Sequence, residues 1–217
     1  MSAADDDALA AEIRAGARTL EIVLSSAQVA GFVAYLRLIE RWNATYNLTA
    51  VREPAQMVTH HLLDCLAAAA ALRAHRETTT SASIVDVGSG AGLPGLVLAS
   101  VFSQSTVTCI DSVGKKAAFV TQAAATLGLH NVEAVHGRVE SLRARYDVVA
   151  SRAFASLAGF VRATRHLVAD NGEWMAMKAR DPGDEIRALQ GVSASVVPLR
   201  VPGLAAERCV VWMRPVA

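Results

Sequence analysis

A mostly parallel α/β sheet behind an N-terminal helical extension is the fold class this sequence predicts. Three observations carry it. Before about residue 80 the apolar residues recur at three- and four-residue steps; from Ile84 onward short apolar runs alternate with helical ones; and the first of those runs ends in the glycine-rich turn IVDVGSGAGLPG, residues 84–95. A length of 217 residues suits one substantial core with a modest extension, so the expected division is 1–80 for the helices and 81–217 for one compact core.

Within the extension, Val29, Phe32, Val33, Leu36 and Ile39 mark one face of a helix over Ser26–Trp42. The irregular stretch WNATYNLTAV follows. Pro54 suits a first helical turn, and Met57, His61, Leu62 and Cys65 share one face of the helix it opens, which the Ala67–Ala71 run prolongs. Polar ETTTSAS, residues 77–83, breaks that pattern. Strand Ile84–Val87 then leads to a helix near Leu93–Ser103, and strand Thr106–Ile110 to a helix near Lys115–Leu127. Strands Val132–Val135 and Tyr146–Ser151 come next, followed by helix Leu157–Val168, strand Trp174–Lys178 and helix Asp184–Leu189. Ala194–Val201 and Arg208–Arg214, joined through PGLAAE, read as a terminal hairpin.

The glycine turn admits two cofactors. Gly90, Gly92 and Gly95 satisfy G-x-G-x-x-G, and Asp111 lies about 20 residues on, where the ribose-binding acid of a dinucleotide site would stand. The same stretch also fits apolar-apolar-Asp-apolar-Gly-x-Gly-x-Gly, the opening of an S-adenosylmethionine site. The terminal hairpin favours the second, because a last strand inserted antiparallel completes a Rossmann-like class I S-adenosylmethionine-dependent methyltransferase sheet, whereas a dinucleotide fold repeats its βαβαβ half. Asp86 agrees. In a dinucleotide fold it would be a carboxylate inside a buried strand, costing several kcal/mol unless paired. In a methyltransferase it stands at the strand end, accepting from the methionine ammonium directly or through water. Gly88 and Gly90 would let backbone approach the cofactor, and Asp111 could accept both ribose hydroxyls. The competing reading makes Asp86 a capping or turn residue and the glycines plain loop.

With 53% hydrophobic, 19% charged and 5% aromatic residues, the composition is that of a soluble globular protein. The net charge of +1 decides nothing about nucleic acid, although bases outnumber acids after about residue 108. Cys65, Cys109 and Cys209 are far apart and form no C-x-x-C pair, so no disulfide framework and no metal site is expected. Asp5, Asp6 and Asp7 stand where a secretory signal needs basic and then apolar residues, and no apolar run approaches the roughly 18 residues of a membrane span. The expectation is a cytoplasmic protein without membrane contact.

From Tyr35 to Trp212 the sequence resembles the glucose-inhibited division protein B family, guanine-N7 methyltransferases of small-subunit ribosomal RNA. WNATYNLTAVREP, HHLLDCL, VDVGSGAGLPGL, IDSVGKKAAF, GRVE, ASRAFASL, AMKA and ERCVVWM carry the resemblance in that order. It departs mildly: Ala91 stands where Pro is usual, Leu93 where Phe or Leu occurs, and Cys209 where His is frequent. The resemblance implies S-adenosylmethionine against Gly88 and Leu93, its adenine beside Val139 and Glu140 with Arg138 supporting that loop, and Arg152 near the methyl-transfer end. It also implies 16S ribosomal RNA as substrate, in the small subunit or a precursor, at a guanine in the decoding-region loop near the streptomycin site. A monomer is expected, with the opening helices as the family's extension.

The chemistry explains what the sequence lacks. Guanine N7 carries an in-plane lone pair and loses no proton on methylation, so positioning is the main task. The D/N-P-P-Y/F tetrapeptide of exocyclic-amine methyltransferases is missing; the fourth strand ends instead in Ser151-Arg152-Ala153-Phe154. Arg152 can donate to guanine O6 or to phosphate. Lys178, ending the fifth strand, and Arg208, opening the last, fall on the ligand side of the sheet and complete the candidate catalytic set. His60 and His61 with Asp64 suggest either catalysis or a packing hydrogen bond. Trp42 and Tyr46 suggest base stacking or core, Arg162 and Arg165 a phosphate contact or a solvated face. The competing functions are a methyltransferase of small molecules or proteins and a binding protein that keeps the cofactor site without catalysis.

Overall fold

The computed structural model describes residues 3–76, 81–152, 154, 156–180 and 182–216. The polar break at 77–80, and with it the expected boundary at residue 80, lies outside the described residues.

The chain opens with α1 (Ala3–Thr19) and α2 (Ser26–Tyr46). Ser25 starts α2 with a reciprocal cap: its hydroxyl accepts from Gln28 N–H at 3.1 Å and the Gln28 side chain accepts from Ser25 N–H at 2.9 Å. Asn47, at φ 48°, ends it in the left-handed region. The five apolar residues that predict this helix are buried, together with Tyr35 and Leu38. Next come α3 (Pro54–Met57), a wider π-helical turn over Val58–Leu63, and α4 (Asp64–His75). Apolar spacing predicts a helix here but cannot distinguish an i→i+5 turn from an i→i+4 one, because one inserted residue leaves most of the buried face intact.

The sheet comprises β1 (Ser83–Val87), β2 (Thr106–Asp111), β3 (Val132–His136), β4 (Tyr146–Arg152), β5 (Val168–Lys178), β6 (Val192–Leu199) and β7 (Arg208–Pro215). Between them lie α5 (Gly95–Val101), α6 (Gly114–Thr126), α7 (Leu157–Thr164) and α8 (Gly183–Arg187). Their order is β3-β2-β1-β4-β5-β7-β6. The first five strands run parallel, and β7 inserts antiparallel between β5 and β6. The terminal hairpin therefore closes the sheet as its sequence suggests. The expected helix Leu157–Val168 stops earlier, at Thr164, followed by a single 3₁₀ turn. Val168 pairs with Tyr146 and opens β5, six residues ahead of the expected Trp174. An apolar residue at a helix–strand junction satisfies both periodicities, and strand pairing decides between them.

One face of the sheet shares a buried cluster with α1, α2, α4, α5 and α6, joining Ile13, Phe32 and Leu36 to Leu96 and Phe119. The other face packs on α7 through Phe160, Trp174 and Val149. The strand order reverses between β1 and β4, and the crevice outside their carboxyl ends is where open α/β sheets take ligands. Among the described residues, no helix is long and apolar enough to cross a membrane. All three cysteines are buried.

Candidate active site

The turn leaving β1 is tied to β2 by its backbone. Gly88 and Ser89 donate to the Ile110 carbonyl at 2.9 and 3.1 Å, and Gly92 and Leu93 donate to that of Ser89 at 2.7 and 3.0 Å. Gly88 holds φ +70°, which favours glycine, and a Cβ built there meets nothing within 4 Å. The bare backbone faces open space.

That space has two lobes. A pocket of about 210 Å³ is lined by Gly88, Asp111, Arg138, Val139 and Glu140. A wider cleft of about 580 Å³ is lined by Gly88, Gly90, Leu93, Arg152, Lys178 and Arg208. Gly88 borders both, so most of the residues singled out by sequence fall into two groups that meet at one glycine. In the smaller lobe, Asp111 accepts from Gly90 N–H at 3.0 Å through Oδ2 and from Val113 N–H at 2.9 Å through Oδ1. Glu140 is exposed on the 3₁₀ turn Val139–Ser141, with Arg138 Nε at 3.5 Å. Its own backbone N–H, and then Arg138, hold its carboxyl below the usual range.

Asp86 lines neither lobe. Its carboxylate is fully buried beneath the turn: Oδ2 accepts from Gly95 N–H at 2.8 Å, and Oδ1 has no hydrogen-bond partner among the described residues. Burial raises its pKa to about 7, against the opposing pulls of the Gly95 N–H and Arg152. Its protonated form is thus kept in the folded chain at pH values where the unfolded chain has already ionised. Stability is full below pH 4 and falls as pH rises through about 7. Asp86→Asn removes that titration, so the stability difference between variant and wild type should shift in the variant's favour by about 2–3 kcal/mol between pH 5 and pH 8. Urea unfolding across that range measures it, and a difference independent of pH would mean that Asp86 titrates normally.

The wider cleft is basic. Arg152 Nη1 donates to the His60 carbonyl at 3.2 Å and lies 3.5 Å from His61 Nδ1 and from Asp64 Oδ2. Arg208 Nε lies 3.3 Å from Asp64 Oδ1. Lys178 Nζ donates to both Glu185 oxygens, at 2.9 and 2.8 Å, and Glu185 also accepts from Leu157 N–H at 2.7 Å. His61 Nε2 stands 2.7 Å from the Thr49 hydroxyl. Burial, and then Arg152, lower its pKa to about 4, so the ring is neutral at pH 7. Ser89 Oγ is buried on the cleft wall without a partner among the described residues.

His60, His61 and Asp64 therefore belong to the cleft. Trp42 and Tyr46 do not: Trp42 packs edge-on to Phe119, with ring centroids 5.3 Å apart, and donates to Gln122 at 3.0 Å. Arg162 lines a separate surface groove with Arg143, His166 and Glu140; Arg165 is exposed outside it. Sequence reasoning missed Thr49 and Glu185. Thr49 lies in the irregular WNATYNLTAV stretch, where only a cluster of small polar residues marks it. Glu185 lies on α8, which the sequence predicts as a helix, but nothing in the pattern pairs it with Lys178 at the end of β5.

The sequence profile of the rRNA small subunit methyltransferase G family matches residues 28–211. The chain is 50% identical over 221 residues to the ribosomal RNA small subunit methyltransferase G of Paracidovorax citrulli, covering 96% of this chain and 91% of that protein. It is 49% identical over 226 residues to the protein of the same name from Acidovorax ebreus, covering 100% of each. Solved structures share its fold, two of them as follows. The ribosomal protein L11 methylase of Lactobacillus delbrueckii subsp. bulgaricus superposes with a TM-score of 0.56 at 13% identity, over 71% of this chain and 77% of that one. A DhpI–SAH complex superposes with a TM-score of 0.54 at 18% identity, over 89% of this chain and 99% of that one.

Proposed function

Because the chain belongs to the rRNA small subunit methyltransferase G family, we propose that its basic cleft directs methyl transfer to N7 of one guanine in 16S ribosomal RNA, presented by the small subunit or a precursor. It is a methyltransferase that uses S-adenosylmethionine and acts on ribosomal RNA. The observation that carries the finer reading is the junction at Gly88, which borders both a small pocket lined by Asp111 and Glu140 and a wider cleft lined by Arg152, Lys178 and Arg208.

The residues present fit the cofactor. Gly88 leaves free the volume that any side chain would fill, Asp111 has lone pairs left for ribose hydroxyls, and Ser89 Oγ has an unused hydrogen-bonding capacity on the wall of the wider cleft. Arg138, Val139 and Glu140 would flank adenine, and Gly90 and Leu93 the methionine side. Asp86 supports that side from below through Gly95 N–H. When bound, S-adenosylmethionine supplies an electrophilic methyl group. Arg152, Lys178 and Arg208 hold the guanine and its phosphate in line with that group, and no residue needs to take a proton from N7. Alignment of this kind is worth up to roughly 7–11 kcal/mol in ideal intramolecular cases.

Residues 1–80 act on this reading as a helical extension of the 81–217 core, and the protein works as a cytoplasmic monomer. RNA engages it through a few basic side chains, because a net charge of +1 neutralises few phosphates. The slope of log affinity against log salt should be shallow, and shallower still in Arg162→Ala and Arg165→Ala variants; a slope near zero, or one insensitive to both, would place the RNA elsewhere. The reading itself is tested by tritium transfer from labelled cofactor to purified small subunits, free ribosomal RNA and a lysate protein fraction. Label should enter the RNA. Label confined to protein would assign a different substrate.

A further inference from the structure

Arg152 ends β4, Lys178 ends β5 and Arg208 opens β7, so three adjacent strands each deliver one cation to the same edge of the cleft. Two of those cations, Arg152 and Arg208, are separated by the width of β5, about 10 Å at ordinary strand spacing. The sheet alone gives their long side chains no common reference. Asp64 provides one. It stands where the π-helical turn meets α4, its N–H directed to the Thr59 and His61 carbonyls, and its side chain is buried. From there Oδ2 lies 3.5 Å from Arg152 Nη1 and Oδ1 lies 3.3 Å from Arg208 Nε.

These are ion pairs without an aligned hydrogen bond at Oδ1. A pair built for stability would be expected to form the bidentate fork, because a buried carboxylate already carries a desolvation penalty. An orienting role accounts for the looser geometry. One carboxylate shared between two guanidinium groups restrains both while engaging only a few of the five N–H donors each carries. Lys178 has a separate restraint in Glu185.

We propose that Asp64 is a positioning residue for methyl transfer: it sets Arg152 and Arg208 in mutual register, so that the helical extension completes the acceptor site. The inference rests on the functional reading above. It predicts that Asp64→Asn, which keeps shape and loses charge, lowers the single-turnover rate on saturating small subunits by about 10- to 100-fold, a loss typical of misplaced groups, while leaving cofactor affinity unchanged. It also predicts non-additivity: in an Arg208→Lys background the same substitution should cost less than in the wild type, because part of its effect passes through that arginine. A merely structural Asp64 would instead lower melting temperature and cofactor affinity together with rate, with additive losses. Asp64→Glu, which keeps the charge but displaces it by one methylene, serves if the Asn variant does not fold, and it should show the same separation of rate from affinity.

A normal rate in either folded variant, or losses that add in the double variant, would overturn the proposal. Failure of the functional reading would look different, since the wild-type protein itself would then transfer no label to ribosomal RNA.

Discussion

Arg152→Ala should lower single-turnover methylation of small subunits by about 100-fold or more, the scale of losing one pre-oriented donor at a reacting centre. Arg152 is the last residue of β4, beside the turn that follows β1, and its side chain borders the cleft. It is also a structural tie, since it donates to the His60 carbonyl and faces Asp64. Some loss of melting temperature is therefore expected, because truncation leaves Asp64 with Arg208 as its remaining ion pair. The two roles separate in Arg152→Lys. Lysine keeps the charge and can still satisfy a carbonyl, but it lacks the planar fork that reads O6 and N7 together. A site that reads guanine stays impaired in the lysine variant, whereas a tie or a simple phosphate contact largely recovers. Rate, cofactor affinity and melting temperature should be measured on both variants. Near-normal turnover by folded Arg152→Ala protein would pass the burden to Lys178 and Arg208.

Gly88→Val should reduce S-adenosylmethionine affinity on the order of 100-fold or more, about 2.7 kcal/mol. The branched side chain would project into the open space shared by the two lobes, where the cofactor must run from one to the other. The backbone contributes a second cost, because φ +70° disfavours any L side chain by roughly 1–2 kcal/mol. Gly128→Val isolates that cost. Gly128 also has positive φ, +66°, with open space at its Cβ, but it closes α6 away from both lobes. Both variants should melt a few degrees lower, and only Gly88→Val should lose calorimetric binding. Equal affinities in the two would remove Gly88 from the cofactor path.

The parts of this molecule that the sequence makes legible are those governed by local physics. Strands buried on both faces appear as short apolar runs, continuous in Val148–Ala150 and broken only by Asp86 in Ile84–Val87, and each glycine with positive φ in the β1 turn is marked by its residue type. The order of elements and the inserted last strand follow from those runs. Less legible is whatever depends on partners distant in sequence. Val168 could end a helix or open a strand, and only Tyr146, across the sheet, settles it. Asp64 looks like one member of an ordinary helical His-Asp pair until Arg152 and Arg208, 88 and 144 residues later, close around it. Asp86 presents the opposite case: the motif marks it as important, while its burial beneath the turn, with Gly95 N–H as its partner, emerges only from the packing of α5 on β1.

The central claim, that this cleft methylates N7 of one guanine in the small-subunit RNA, is tested most directly by mass spectrometry of that RNA from a strain lacking the protein, complemented with wild-type or Arg152→Ala chain. The account predicts loss of a single 7-methylguanosine, restored by the wild-type chain and not by Arg152→Ala. An unchanged 7-methylguanosine content in the deletion strain, or a methyl group lost from a different atom, would contradict it.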